Sequence, residues 1–81
     1  MNPFEILTEL DVNQTITVYD EHNNKYIGEF KWDSQEEIHR IDDYKLAADY
    51  TANKVYIIKP IEDEKISGFM AQITDIQIPN K

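Results

Sequence analysis

The sequence predicts a mainly-β fold in which a short N-terminal helix is followed by five antiparallel strands that close into a small, strongly bent barrel. Three observations predict this fold. Apolar residues recur at three-residue spacing only near the start of the chain and at two-residue spacing afterwards. Clusters of turn-forming residues separate the alternating segments. Gly28 lies inside one of those segments, where a glycine favours a sharp bend.

The composition is that of one small acidic domain, which we expect to span residues 1–81. Sixteen acidic residues against eight lysines and arginines give a formal net charge of −8, and nine aromatic residues support a packed core. The chain has no cysteine, which excludes disulfides, a cysteine zinc site and a cysteine nucleophile. Its apolar runs are far shorter than the roughly 20 residues of a membrane-spanning helix. We expect a cytoplasmic protein without a signal peptide.

The first element is a helix over about residues 3–10. Asn2 suits the N-cap, Pro3 suits the first helical position, and Glu5 stands where a capping-box acid reaches back to the cap. Apolar residues at three-residue spacing give this helix one buried face: Phe4, Leu7 and Leu10.

The next two elements are strands at about residues 14–20 and 25–33, joined by a turn rich in Asp and Asn. In the second strand, alternation places Tyr26, Gly28, Phe30 and Trp32 on one face. Because glycine weakens a strand interior, we expect the sheet to curl at Gly28.

Residues 34–43 interrupt the strand pattern. Ser34 and Glu37 have the spacing of a capping box, and Ile38 and Ile41 are three residues apart. This segment is therefore interpreted either as one helical turn or as a long polar excursion.

Strand character resumes in a second hairpin at about residues 44–51 and 54–59, and the last strand covers about residues 66–78 before Pro79. For a chain of this length, closing the sheet removes most of the unpaired edges that a flat meander would expose.

Several short motifs resemble the Sm/Lsm family of small β-barrels. The helix opening at residues 2–7, the strand Ile16–Asp20, the glycine-containing segment Tyr26–Phe30 with Trp32-Asp33 after it, and Ile66-Ser67-Gly68 are similar to that family's pattern in the same order. The resemblance implies a bent barrel in which Gly28, Gly68 and Trp32 have structural roles.

The chain departs from that family at the RNA-binding positions. No Asp-x-x-x-Asn loop follows Asp33, and Ser67 stands where an arginine normally precedes the final glycine. The acidic surface also opposes phosphate contacts, so we expect no direct binding of nucleic acid. A generic SH3-like barrel fits the same strand pattern.

No motif for catalysis or metal binding is present. Ser34, Ser67, His22 and His39 supply the residue types of a nucleophilic triad but not its sequence pattern. The acid pairs lack EF-hand spacing. We therefore expect a protein that is not an enzyme and that has no cofactor, no metal site and no membrane partner.

Candidate binding residues fall into three groups. Exposed acids of the 34–43 segment suit a basic partner: Glu36, Glu37, Asp42 and Asp43. Tyrosines either line the barrel or form a contact surface, for which we consider Tyr19, Tyr50 and Tyr56. Arg40 and Lys31 are candidates for a small anionic ligand if they converge with Lys45 or Lys59.

Two functions follow as hypotheses. The first is a non-enzymatic, oligomeric binding module that binds a protein or a small nucleotide-type ligand, because so short a chain gains stability from a partner. The second is an acidic inhibitor that mimics phosphates and blocks a basic nucleic-acid-binding site on a host protein. The composition, rich in Asn, Lys, Ile and Asp, is typical of small phage and mobile-element proteins.

Overall fold

A computed structural model describes residues 1–58 and 70–79, which form a closed antiparallel barrel behind a short N-terminal helix. The predicted fold class is confirmed, with six strands in the described part of the chain where the sequence predicts five. No helix among the described residues is long and apolar enough to cross a membrane. The elements are α1 (Pro3–Leu7), β1 (Thr15–Asp20), β2 (Lys25–Asp33), β3 (Ile38–Ile41), β4 (Tyr44–Asp49), β5 (Lys54–Ile58) and β6 (Met70–Gln77).

Each strand pairs with the next one along the chain, and β6 pairs with β1 to close the barrel. Alternate residues of the strands point inward, as their period of two requires. The core is almost entirely aliphatic, so packing of branched side chains stabilises it. Its buried members are Leu7, Ile16, Val18, Phe30, Ile41, Leu46, Val55, Ile57, Ala71, Ile73 and Ile76.

The N-terminal helix has the predicted capping box. Asn2 Oδ1 accepts a hydrogen bond from Glu5 N at 2.9 Å, and Asn2 N donates to Glu5 Oε1 at 3.1 Å. The helix ends at Leu7, earlier than the predicted residue 10. Leu10 nevertheless packs against the core from the turn that follows. Contacts of α1 with β5 and β6 cover one open end of the barrel.

The segment 34–43 differs from both sequence interpretations, because residues Ile38–Ile41 form β3. Asp33, rather than Ser34, caps the turn: its Oδ1 accepts from Gln35 N at 3.0 Å and from Glu36 N at 3.3 Å. Glu37 then adopts a left-handed conformation with φ 57°, which reverses the chain. The residues around Ser34 and Glu37 therefore form the turn of a β-hairpin instead of the start of a helix.

Strand β2 changes partners near Gly28. Residues 25–29 pair with β1, and residues 30–33 pair with β3. A Cβ atom on Gly28 would lie 2.6 Å from Asp42 Cβ and 3.1 Å from Asp42 N. Glycine is thus required here by the close approach of the β3–β4 turn. The predicted roles of Gly68 and Lys59, and the start of the predicted strand 66–78, lie outside the described residues.

Candidate functional site

The β2–β3 hairpin extends beyond the strands on either side of it. Pairing of β1 with β2 stops at Glu29, and pairing of β4 with β3 covers only Tyr44 to Leu46. Hydrogen bonds of the Phe30 backbone with Asn13 and Gln14 are the last link on the β1 side. The outer part of the hairpin therefore has a groove along each edge.

The groove on the β2 edge, here called the cationic groove, has a volume of 470 Å³. Lys31 and Arg40 supply its positive charge, and polar side chains supply neutral hydrogen-bonding groups. Trp32 forms an aromatic wall. The complete lining is Val12, Asn13, Lys31, Trp32, Asp33, Ser34, Gln35 and Arg40.

The groove on the β3 edge, here called the aromatic groove, has a volume of 520 Å³. Trp32 lines this groove too, so its indole separates the two grooves. His39 and Tyr50 provide further rings, and Lys45 provides a cation. Both grooves are open to solvent, and the cationic groove is the shallower of the two.

Trp32 is held in place by the imidazole of His39. The ring centroids lie 4.3 Å apart with an interplanar angle of 28°, and Phe30 stacks on His39 at 5.7 Å. His39 Nδ1 is buried without a hydrogen-bond partner among the described residues. Burial lowers the pKa of His39 below its ordinary value of 6.5, so the imidazole is neutral at physiological pH.

Three basic residues stand side by side across β2, β3 and β4. Lys31 lies opposite Arg40, and Arg40 lies opposite Lys45 in the strand register. Two single-contact ion pairs accompany them: Lys31 Nζ lies 3.8 Å from Glu29 Oε1, and Arg40 Nη2 lies 3.4 Å from Glu36 Oε1. The structure thus brings together the predicted ligand residues Lys31 and Arg40, with Lys45 beside them.

The four predicted acidic residues do not form one cluster. Glu36 and Glu37 lie in the β2–β3 turn, whereas Asp42 and Asp43 lie in the β3–β4 turn. Successive turns of an antiparallel meander fall at opposite ends of the barrel. The two pairs are therefore separated by the length of β3. The sequence interpretation predicted no strand within residues 34–43 and so treated the four acids as neighbours.

The three candidate tyrosines do not form one surface either. Tyr19 lies on β1, and β6 stands between that strand and β5, which carries Tyr56. Tyr50 lies in the β4–β5 turn, where its ring makes an edge-to-face contact with Phe4 at 5.3 Å. Tyr56 faces outward, as expected, because its neighbours Val55 and Ile57 are buried.

The other two tyrosines pack against the core. Tyr26 and Tyr44 contact each other with ring centroids 4.9 Å apart. Tyr26 and Tyr44 thus follow the alternative in which tyrosines pack in the barrel, and a role of the other tyrosines in a contact stays a prediction.

Asp20 is a buried carboxylate that the sequence interpretation missed. Its Oδ1 accepts from His22 N at 2.9 Å and Asn24 N at 3.0 Å, and its Oδ2 accepts from Tyr26 Oη at 3.3 Å. Burial alone raises the pKa of Asp20, but these hydrogen bonds outweigh burial and hold the pKa below its ordinary value. The sequence contains a signal for this role, because the side chain of an aspartate at the start of a turn commonly accepts a hydrogen bond from the backbone N–H two residues later.

A group of four apolar residues lies on the outside of β4, β5 and β6, among polar neighbours. It consists of Ala47, Tyr56, Ile58 and Met70, here called the apolar face. Ala47 lies opposite Tyr56, and Ile58 lies opposite Met70, so the four side chains are contiguous. Met70 is 57% exposed, and the other three are half-buried. Lys45 borders this face, since it lies opposite Ile58.

Within residues 1–58 and 70–79, no group of three or more His, Asp or Glu side chains is placed to hold a metal ion. Comparison with family models, with curated proteins and with solved structures finds no match to this chain. Functional inference therefore depends on the geometry of the hairpin, the grooves and the apolar face.

Proposed function

We propose that this chain is a non-enzymatic binding module, an Sm-like or SH3-like barrel that self-associates through the apolar face. The observation that carries the proposal is the adjacency of four apolar residues among the outward positions of β4 to β6. The other outward positions there carry polar side chains, among them Lys45, Asp49, Lys54 and Gln72, as is normal for a sheet with one face in water. Contiguous apolar residues at such positions mark an interaction surface.

Strand β2 provides the contrast within the same barrel. Four of its five outward positions carry charged side chains, and the apolar exception is Ile27: the set is Lys25, Ile27, Glu29, Lys31 and Asp33. The apolar face is therefore a local feature of β4 to β6 and not a property of the whole barrel surface. Tyr56 at its centre is a residue type that is enriched at protein interfaces.

A second copy of this chain is the partner that its own surfaces favour. Lys45 borders the apolar face and can pair locally with an acidic residue of another copy, whereas the net charge of −8 opposes association overall. A groove of 240 Å³ beside α1 offers a matching surface, because Met1 and Ile78 are exposed there next to Glu9. Contact between two different surfaces of one chain is heterologous, and such contacts generate rings when the rotation closes.

The test compares two matched substitutions at equally exposed apolar positions. Met70→Glu places a charge on the apolar face, and Ile27→Glu places one on β2, where Ile27 is 56% exposed. Sedimentation analysis of the wild type and both variants measures the mass of the assembly. We expect Met70→Glu to dissociate the oligomer and Ile27→Glu to leave it intact, because only the former buries a charge in the contact.

A monomeric wild type would overturn self-association. Equal effects of the two substitutions would show that the apolar face is not the contact surface. Circular dichroism on each variant shows that the fold is retained, so that loss of assembly is not loss of folding.

A second candidate function is the acidic inhibitor. Glu21, Asp42 and Asp43 support it, because these exposed acids lie in turns at the same end of the barrel. The two acid pairs can now be tested separately. Asp42→Asn with Asp43→Asn should slow association with a basic protein target and flatten the salt dependence, while Glu36→Gln with Glu37→Gln should not. Equal effects of both pairs would argue against a phosphate mimic at that end.

A further inference from the structure

We propose that the cationic groove binds a nucleotide, with the base stacked on Trp32 and the phosphate held by Lys31 and Arg40. This site names a ligand class for the proposed binding module. It lies along the β2 edge of the hairpin, whereas self-association is assigned to β4 to β6. Loss of one activity therefore does not entail loss of the other.

The phosphate position follows from the two cations. Lys31 and Arg40 are cross-strand neighbours and both line the groove. A guanidinium donates two parallel hydrogen bonds to a phosphate, and an ammonium adds a point charge. The net negative charge of the chain does not prevent this contact, because exposed charges are screened beyond about 8 Å at physiological ionic strength.

Nearby carboxylates compete only weakly with a phosphate. Glu29 and Glu36 each make one ion-pair contact with the two cations, at 3.8 Å and 3.4 Å, and exposed pairs of this kind contribute little. Asp33 also lines the groove and adds a negative charge there, but its Oδ1 is oriented towards the turn, where it accepts two backbone hydrogen bonds. A phosphate that contacts both cations can therefore displace the glutamates.

The base position follows from Trp32. Trp32 is 39% exposed and lines the groove, and stacking on His39 covers one side of the indole, which leaves the other side for a base. Because Trp32 and Lys31 are adjacent on β2 and point to opposite faces, a nucleotide that contacts both bends around the β2 edge. A base stacks on such a ring without sequence preference, because every base has a π-face. Asn13, Ser34 and Gln35 line the same groove and supply amide and hydroxyl groups, which can pair with the polar edges of a base.

The experiment uses the fluorescence of Trp32, which is the single tryptophan of the chain and reports directly on this groove. The full-length protein is titrated with adenosine 5′-monophosphate and, separately, with inorganic phosphate. We expect the nucleotide to quench the fluorescence to saturation at concentrations up to about 10 mM, and inorganic phosphate to bind more weakly because it cannot stack.

Three variants locate the site. Lys31→Gln with Arg40→Gln should weaken nucleotide binding by about tenfold or more, and Arg40→Lys should fall between this variant and the wild type. Lys54→Gln is the matched control, because it removes an exposed cation from the start of β5. Binding to this control should equal that of the wild type.

The proposal is overturned if adenosine 5′-monophosphate gives no saturable quenching, if inorganic phosphate binds as tightly as the nucleotide, or if Lys54→Gln weakens binding as much as the groove variant. Should the double variant fail to fold, Arg40→Lys and Lys54→Gln still test the site, because only Arg40→Lys is expected to weaken nucleotide binding. Sedimentation of the same samples reports self-association independently, which separates failure of this proposal from failure of the proposed function.

Discussion

At Gly28, the absence of a side chain allows β2 to pass close to the β3–β4 turn. The nearest atoms to a virtual Cβ belong to Asp42, at 2.6 Å and 3.1 Å. Gly28→Ala should therefore destabilise the barrel by roughly 1–3 kcal/mol, because the backbone of the turn has to move. Thermal or urea denaturation measures the change.

The control for this prediction is the same substitution in an Asp42→Gly background. That change removes the Cβ atom that causes the closest contact, and it also suits the left-handed conformation of residue 42, whose φ is 55°. Gly28→Ala should then cost clearly less than in the wild type. An equal cost in both backgrounds would show that the close approach is not the reason for glycine at this position.

His39 carries the pH dependence of the hairpin. Burial places its folded-state pKa below the ordinary value of 6.5, so between these two values the folded chain binds fewer protons than the unfolded chain. Stability should therefore decrease as the pH falls through this window. A charged imidazole also quenches indole fluorescence, so a titration of Trp32 fluorescence should show a transition with a midpoint below 6.5.

His39→Gln should abolish that transition, and His22→Gln should retain it, since His22 is exposed in the β1–β2 turn. A midpoint at or above 6.5 in the wild type would contradict burial of the imidazole against Trp32.

Among the elements, the β2–β3 hairpin shows where sequence patterns stop being informative. The alternation of β1, β2, β4 and β5 predicted those strands closely, because apolar side chains recur at every second position of their sequences. Strand β3 has only four residues, and its two isoleucines, Ile38 and Ile41, have the three-residue spacing of a helix and not the two-residue spacing of a strand. The turn residue Asp33 decides between the two, since its carboxylate caps a hairpin turn.

The same turn supplies a prediction about stability. Glu37 has φ 57°, a conformation that costs a residue with a Cβ atom about 1 kcal/mol or more. Glu37→Gly should therefore stabilise the protein by about 0.5–1 kcal/mol in denaturation experiments. Glu36→Gly is the matched control, because Glu36 is not in the left-handed region, and it should not stabilise. Stabilisation by both changes would attribute the effect to charge instead of backbone strain.

The candidate site was predictable only in part for a related reason. Sequence proximity suggested one acidic cluster, but the extra strand separates Glu36 and Glu37 from Asp42 and Asp43. Cross-strand register, which depends on that strand, is what brings Lys31, Arg40 and Lys45 together. Neither the grooves nor the apolar face has a local sequence signal, because their members come from different strands.

At the scale of the whole molecule, the net charge and the apolar face have opposite effects on association. The net charge of −8 favours a dispersed protein, whereas the contiguous apolar face on β4 to β6 favours association. Burial of the apolar face removes hydrocarbon surface from water, and this stabilisation is insensitive to salt. Screening of the acidic surface at higher ionic strength reduces repulsion between copies. The assembly should therefore persist, or strengthen, as salt is added.

The most direct measurement is native mass spectrometry of the untagged protein at low and at high ionic strength. We predict a homo-oligomer whose copy number is the same or larger at high ionic strength. A monomer under both conditions would contradict the central claim that the barrel self-associates. A monomer that carries a basic protein at low ionic strength and releases it at high ionic strength would contradict it as well and would indicate the acidic inhibitor.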